Sequence, residues 1–255
     1  MTEPEIQGTA ESTPGLTQGQ RIIYTFTDPS KTFEDIRRGN KSWWLPLILY
    51  VLAFAVFFLA VSTRVTWNQV YQNEQRNLPE FAKRMQEQAP PERQAAAAKA
   101  GPITQAVTAA IAPAGVLLID VIGAAILLAT INFGFGGKAK FSSLFVVTLY
   151  AGLPLWVLQW LLGAITACFT DPEAFNIHNA SPTNVAAFLP ELRTSSLLVY
   201  NLLMSLDALG IWCMVVTSIG VATVAGVKRN TGYIVVFGWW VIGLFIGMGV
   251  SALMG

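Results

Sequence analysis

Charge is scarce in this chain. Only 12% of its 255 residues are Asp, Glu, Lys or Arg, while 53% are hydrophobic. Soluble domains carry about 25% charge, and a soluble globule of this size lacks the interior to hide so much apolar surface. Disorder of the whole chain is excluded as well, because it requires low hydrophobicity and high charge. Histidine occurs once and cysteine twice, too few for a disulfide scaffold or a closed zinc site and little material for histidine chemistry. Sixteen basic residues stand against fifteen acidic ones, so nucleic acid is not an expected partner. There is no HExxH, GxSxG or Walker motif, and no catalytic residue, metal or cofactor is expected. The glycine-rich stretch Gly134–Lys138 lacks the strand that a phosphate loop requires and reads as a tight turn.

What the chain has instead is five apolar runs, at 43–63, 107–133, 141–167, 195–226 and 233–253. Each reaches the ~20 residues needed to cross a hydrocarbon core. Backbone groups in lipid must bond within their own segment, so the runs are helices. The expected fold is all-α, a polytopic bundle of five transmembrane helices occupying 43–255. Ahead of it, 1–21 reads as a disordered cytoplasmic tail without a cleavable signal peptide. Residues 22–42 read as an amphipathic juxtamembrane segment lying near the membrane surface. Asp28-Pro29 starts its helix, and Phe33 and Ile36 lie on its apolar face. The loop 64–106 carries Trp67, Val70, Tyr71 and Glu74 at helical spacing and reads as an external helical cap. The second external loop is 168–194.

Orientation follows from the basic residues near the span ends. Lys31, Arg37, Arg38, Lys41, Lys138, Lys140, Lys228 and Arg229 fall on one side. Arg64, Arg76, Arg93, Lys99 and Arg193 fall on the other. The excess predicts a cytoplasmic N-terminus and an external C-terminus.

Asp120 and Asp207 are the charged residues well inside the spans, where an ionisable group costs at least about 2.5–3.5 kcal/mol unless it has a partner. Counting from the basic loops at 1.5 Å per residue puts Asp120, Gln159, Asp207 and Arg64 at heights of about 27, 29, 32 and 35 Å. The four form a candidate polar layer in the outer leaflet. Either it is a buried network that fixes helix packing, with Arg64 balancing a carboxylate, or it is a site for a cation or proton. Gly152 and Pro154 predict a kink in span three. Gly243 and Gly247 form a GxxxG pattern in span five, which serves helix packing within the bundle and also fits a homo-oligomer through that span.

Several short motifs then line up in order. Phe26-Thr27-Asp28-Pro29-Ser30-Lys31-Thr32-Phe33 precedes Trp44-Leu45-Pro46-Leu47. Tyr150-Ala151-Gly152-Leu153-Pro154 follows, then Leu206-Asp207-Ala208-Leu209-Gly210-Ile211-Trp212, and finally Gly220 with a basic turn. Their order and spacing resemble the Yip domain family (Ypt-interacting proteins) in its prokaryotic branch, over about residues 24–253. The resemblance implies five spans, a cytoplasmic N-terminus and, for the prokaryotic branch, an inner-membrane location. Eukaryotic relatives are linked to Rab GTPases. Their DLYGP signature is absent here, so the resemblance does not extend to GTPase binding. The expected function is a non-enzymatic membrane protein that organises partners or lipids in the bilayer. The alternatives are a small transporter or channel using the acid pair and an intramembrane enzyme.

Overall fold

Inside a membrane no water is at hand for the backbone, so long apolar runs must close their hydrogen bonds internally. In the computed structural model, which describes residues 15–78 and 80–254, they do so as helices. Two helices precede the first span, α1 (Gln18–Thr27) and α2 (Pro29–Arg37). The first span is α3 (Trp44–Ala60), prolonged by a π turn at Val61–Val65. Three helices fill the following loop: α4 (Trp67–Arg76), α5 (Glu80–Glu87) and α6 (Pro91–Ala110). The second span, α7 (Ala112–Ala129), also ends in a π turn, Thr130–Gly134. The third is divided into α8 (Phe141–Ala151) and α9 (Leu153–Phe169). After a loop containing the short α10 (Leu192–Ser195) come α11 (Leu197–Ser205), α12 (Ala208–Ala225) and α13 (Arg229–Met254).

Five helical stretches are long and apolar enough to cross a membrane: Trp44–Val65, Ala112–Gly134, Phe141–Phe169, Ala208–Ala225 and Arg229–Ala252. No strand occurs among the described residues. An isolated bridge joins Asn184 to Asp207. In the bundle α3 packs on α9, α7 on α8, and α12 on α8, α9 and α13. The core is built around Leu144, Val147, Leu149, Tyr150, Val216 and Val221. A second cluster, around Phe57, Val61, Val65, Val70 and Phe175, ties the first span to the loops at the far end.

Order begins earlier than the composition suggests. Disorder expected over 1–14 lies outside the described residues, but the rest of the tail expected over 1–21 is structured. Thr17 and Gln20 form a capping box that starts α1, and Arg21 is 1% exposed. The following segment is helical and amphipathic, yet its apolar face does not lie against lipid. Phe33 and Ile36 are fully buried, and α2 packs on α12 and α8. Pro29 opens α2 as expected. Asp28 makes no capping bond, and its carboxylate faces Lys31 Nζ at 3.2 Å instead.

Span three breaks at Gly152, between α8 and α9, with Pro154 in the first turn of α9. Tyr50 Oη donates to the Leu149 carbonyl at 2.7 Å there. A Cβ on Gly152 would come within 2.3 Å of that hydroxyl, so glycine is what lets α3 approach the break. Span four is not the single run read from 195 to 226. It is interrupted at Leu206 and Asp207, and the loop 168–194 folds into the gap. Ala208 N–H donates to the Thr183 carbonyl at 2.9 Å. Leu206 keeps the apolar pattern continuous across a point where the helix is not. In the loop 64–106, α4 packs on α6, and the Tyr71 ring fills the space that a Cβ on Gly101 would take.

Candidate functional site

Asp207 is the N-cap of α12. Its Oδ1 accepts the Gly210 N–H at 2.7 Å and its Oδ2 accepts the Thr183 hydroxyl. It also lines a cavity of about 220 Å³ with Gln159, Trp160, His178, Asn179, Ser181 and Met204. Two members of the expected polar layer, Asp207 and Gln159, therefore meet. The other two do not join them. Arg64 is exposed and donates to the Cys168 carbonyl at 3.3 Å, with no carboxylate paired to it among the described residues.

Asp120 lies at another depth. Thr148 Oγ1 donates to the Asp120 carbonyl at 3.4 Å, so Asp120 stands beside the middle of α8. The Asp120 carboxylate faces Tyr50 of α3 and Cys213 of α12, and Cys213 is six residues, about 9 Å of helix axis, from Asp207. The four-residue layer is thus corrected. Counting from the loops assumed straight helices starting in one plane, whereas span three is interrupted at Gly152, span four is broken and span two ends in a π turn. Asp120 is 7% exposed, and its Oδ2 has no hydrogen-bond partner.

The cation nearest to a bridging role at the far end, Arg193, serves another acid. Its Nη2 and the Nε2 of His178 each lie 2.9 Å from Glu74 Oε2 on α4. Arg193 also donates to Asn176 at 3.0 Å, and Asn176 to the Tyr200 hydroxyl at 3.1 Å. This cluster joins α4, the 168–194 loop and α11. Burial alone would raise the Glu74 carboxyl. The hydrogen bonds and charges of His178 and Arg193 outweigh it and hold Glu74 below its ordinary value. A carboxylate depressed in the folded state adds stability that is complete above the ordinary carboxylate range and is lost as pH falls through the folded value. The unfolding temperature is expected to drop on acidification through that range. Glu74→Gln should lower it at neutral pH and flatten the acid limb, and an unchanged acid limb would show that the cluster contributes nothing.

At the basic end lies a network that sequence reading missed. Arg21 Nε is 3.6 Å from Asp35 Oδ2, with the two side chains 1% and 7% exposed. Arg21 Nη1 donates to the carbonyls of Asn40 and Ser42 at 3.0 and 3.2 Å. Its guanidinium lies over the Tyr150 ring, 5.2 Å from the centroid. Asp35 accepts from Leu16 N–H at 3.0 Å and Asn40 Nδ2 at 2.8 Å, and Tyr150 Oη donates to Gln18 Oε1 at 3.1 Å. The Thr17-x-x-Gln20 capping box was the signal that this region is ordered. Around the network the same end exposes Lys31, Arg37, Arg38, Lys138, Lys140, Lys228 and Arg229, with Trp43 and Trp44 at the start of α3.

Gly243 and Gly247 are exposed, and a Cβ on either meets nothing within 4 Å. They border a groove of about 380 Å³ between α11 and α13 and are not a close-packing contact within the bundle. Close approach occurs instead at Gly232, where a Cβ would come 2.2 Å from the Ser218 carbonyl of α12. Among the described residues, no group of three or more His, Cys, Asp or Glu is gathered to hold a metal ion.

A family model described as the Yip1 domain matches residues 23–250. Neither the curated proteins nor the solved structures give a match to this chain.

Proposed function

Because the chain belongs to the Yip1 domain family, we propose that it is a non-enzymatic integral membrane protein that organises anionic lipids, and partners held near them, at its basic end. The observation that carries this reading is the α1–α2 cap. It is anchored by the buried Arg21–Asp35 pair and by Phe33 and Ile36, so the cations beside it form one fixed surface with the two basic turns. Each Lys or Arg near an anionic leaflet adds about 1 kcal/mol of attraction, and the exposed tryptophans suit the interface. On this reading the N-terminus is cytoplasmic, the C-terminus lies on the opposite side, and the membrane is a prokaryotic inner membrane. The C-terminal residue itself, Gly255, lies outside the described residues.

The test is lipid retention. Native mass spectrometry of the unaltered chain should find anionic phospholipid enriched over its share in the membrane. Replacing Lys138, Lys140, Lys228 and Arg229 by Gln should remove that enrichment while the fold persists. Retention in bulk proportion by the unaltered chain would sink the proposal. In intact cells, with Cys168 and Cys213 replaced by Ser, Lys138→Cys should resist a membrane-impermeant thiol reagent. Strong labelling from outside would reverse the orientation.

A second reading, ion handling, is favoured by one observation, the unpartnered Oδ2 of Asp120. A proton or cation path would make Asp120→Asn abolish a flux in proteoliposomes. The organiser reading expects equal, background permeability for both chains.

A further inference from the structure

The cavity beside Asp207 lies at the opposite end of the bundle from the basic surface, and it stands or falls independently of the reading above. Asp207 is 8% exposed. Its two oxygens take bonds from a backbone N–H and a hydroxyl, neither of them charged. No Lys, Arg or His is ion-paired with it among the described residues. The N-terminus of α12 offsets roughly half a charge, and no basic side chain among the described residues is paired with the rest. Each carboxylate oxygen still has capacity to accept another bond.

The rest of the wall is of matching chemistry. Gln159 makes no side-chain hydrogen bond among the described residues and offers a second acceptor to the cavity. Trp160 stands beside it, held by Tyr50, Phe54 and Trp156 at ring centroid distances of 6.4, 5.3 and 6.0 Å. His178 also lines the wall, but both its Nε2 and its charge are turned to Glu74. A carboxylate, a neutral carbonyl and an aromatic ring form a recognition set for an ammonium group. A divalent metal would call for more oxygen ligands of like charge than one carboxylate supplies. The space, about 220 Å³, suits a group of a few heavy atoms. Its depth is informative too. The 18 residues of α12 span about 27 Å, so its first residue sits near the far boundary of a hydrocarbon layer ~30 Å thick, level with lipid headgroups.

We propose that this cavity binds a primary ammonium group, seated on Asp207 and Gln159 beside Trp160. The group is carried either by an aminophospholipid headgroup or by a small soluble amine.

The experiment uses the full chain in phosphatidylcholine nanodiscs and reads the thermal unfolding temperature. Ethanolamine is titrated into one set, and phosphatidylethanolamine replaces part of the lipid in another. Choline serves as the control cation without N–H donors. Stabilisation by ethanolamine or by phosphatidylethanolamine, and not by choline, is the expected result. A response to the lipid alone identifies the headgroup as the source, and a response to free ethanolamine alone identifies the soluble amine. Asp207→Asn keeps a good helix cap and should weaken the response about ten-fold or more, the scale of one charge-assisted hydrogen bond. Gln159→Leu should weaken it as well, and it carries the comparison if the first variant does not fold. No response to either amine, an equal response to choline, or an undiminished response in the folded variants would overturn the proposal.

Discussion

Replacing Arg21 by Met, which keeps the length of the side chain and removes its charge, is expected to destabilise the protein by about 3–5 kcal/mol, the cost of breaking a buried ion pair by removing one partner. The reason lies in what is left behind. Asp35 is 7% exposed and would keep its negative charge with no cation beside it. The Asn40 and Ser42 carbonyls would lose their donor, and Tyr150 its guanidinium. The loss concentrates where α1 and α2 dock on α12 and α8, so proteolysis within 18–37 should accelerate together with a fall in unfolding temperature in detergent. Asp35→Leu added to Arg21→Met should recover part of the loss, because it removes the stranded charge. If Arg21→Met unfolds like the unaltered chain, the cap is not anchored by this pair and the fixed basic surface loses its support.

That residue also marks where sequence reading stops. The five spans were legible because the bilayer imposes one rule on every segment, and a run such as 233–253 announces its own helix. The basic turns were legible for the same reason, since Lys138, Lys140, Lys228 and Arg229 stand beside span ends. Arg21 was not legible. Its meaning depends on Asp35, fourteen positions on, and on Tyr150 in span three. Asp207 fails differently. Hydropathy runs smoothly through Leu206 and hides a helix break that is stabilised by Thr183, a residue of the preceding loop. Nothing local distinguishes an aspartate buried mid-helix, such as Asp120, from one that caps a new helix. The error has a consequence for Asp207→Asn. The bridge expected from Arg64 is absent among the described residues, so the amide strands no cation, and only a small change in stability follows.

The glycines of span five carry the second large effect. Gly243-x3-Gly247 has the form of a helix-packing motif, yet a methyl group added to either meets nothing within 4 Å. Gly232 belongs to no motif in the sequence, yet a Cβ there would lie 2.2 Å from the Ser218 carbonyl and 3.0 Å from Ala222 Cβ. In a membrane, helices gain little from excluding water and depend on backbone approach, and a backbone carbonyl cannot swing aside as a side chain can. Gly232→Val is therefore expected to force α13 away from α12 and cost about 3 kcal/mol, the upper end of overpacking effects. Gly243→Ala and Gly247→Ala should leave the unfolding temperature of the monomer almost unchanged. The same pair separates the two uses of span five. If copies of the chain associate through the face bearing Gly243 and Gly247, Gly243→Leu with Gly247→Leu abolishes cross-linking between copies while the monomer remains folded. If that face meets only lipid, cross-linking is absent from the start and the double variant changes nothing. A fall in monomer stability from Gly243→Ala equal to that from Gly232→Val would mean that α13 packs in a register other than the one described.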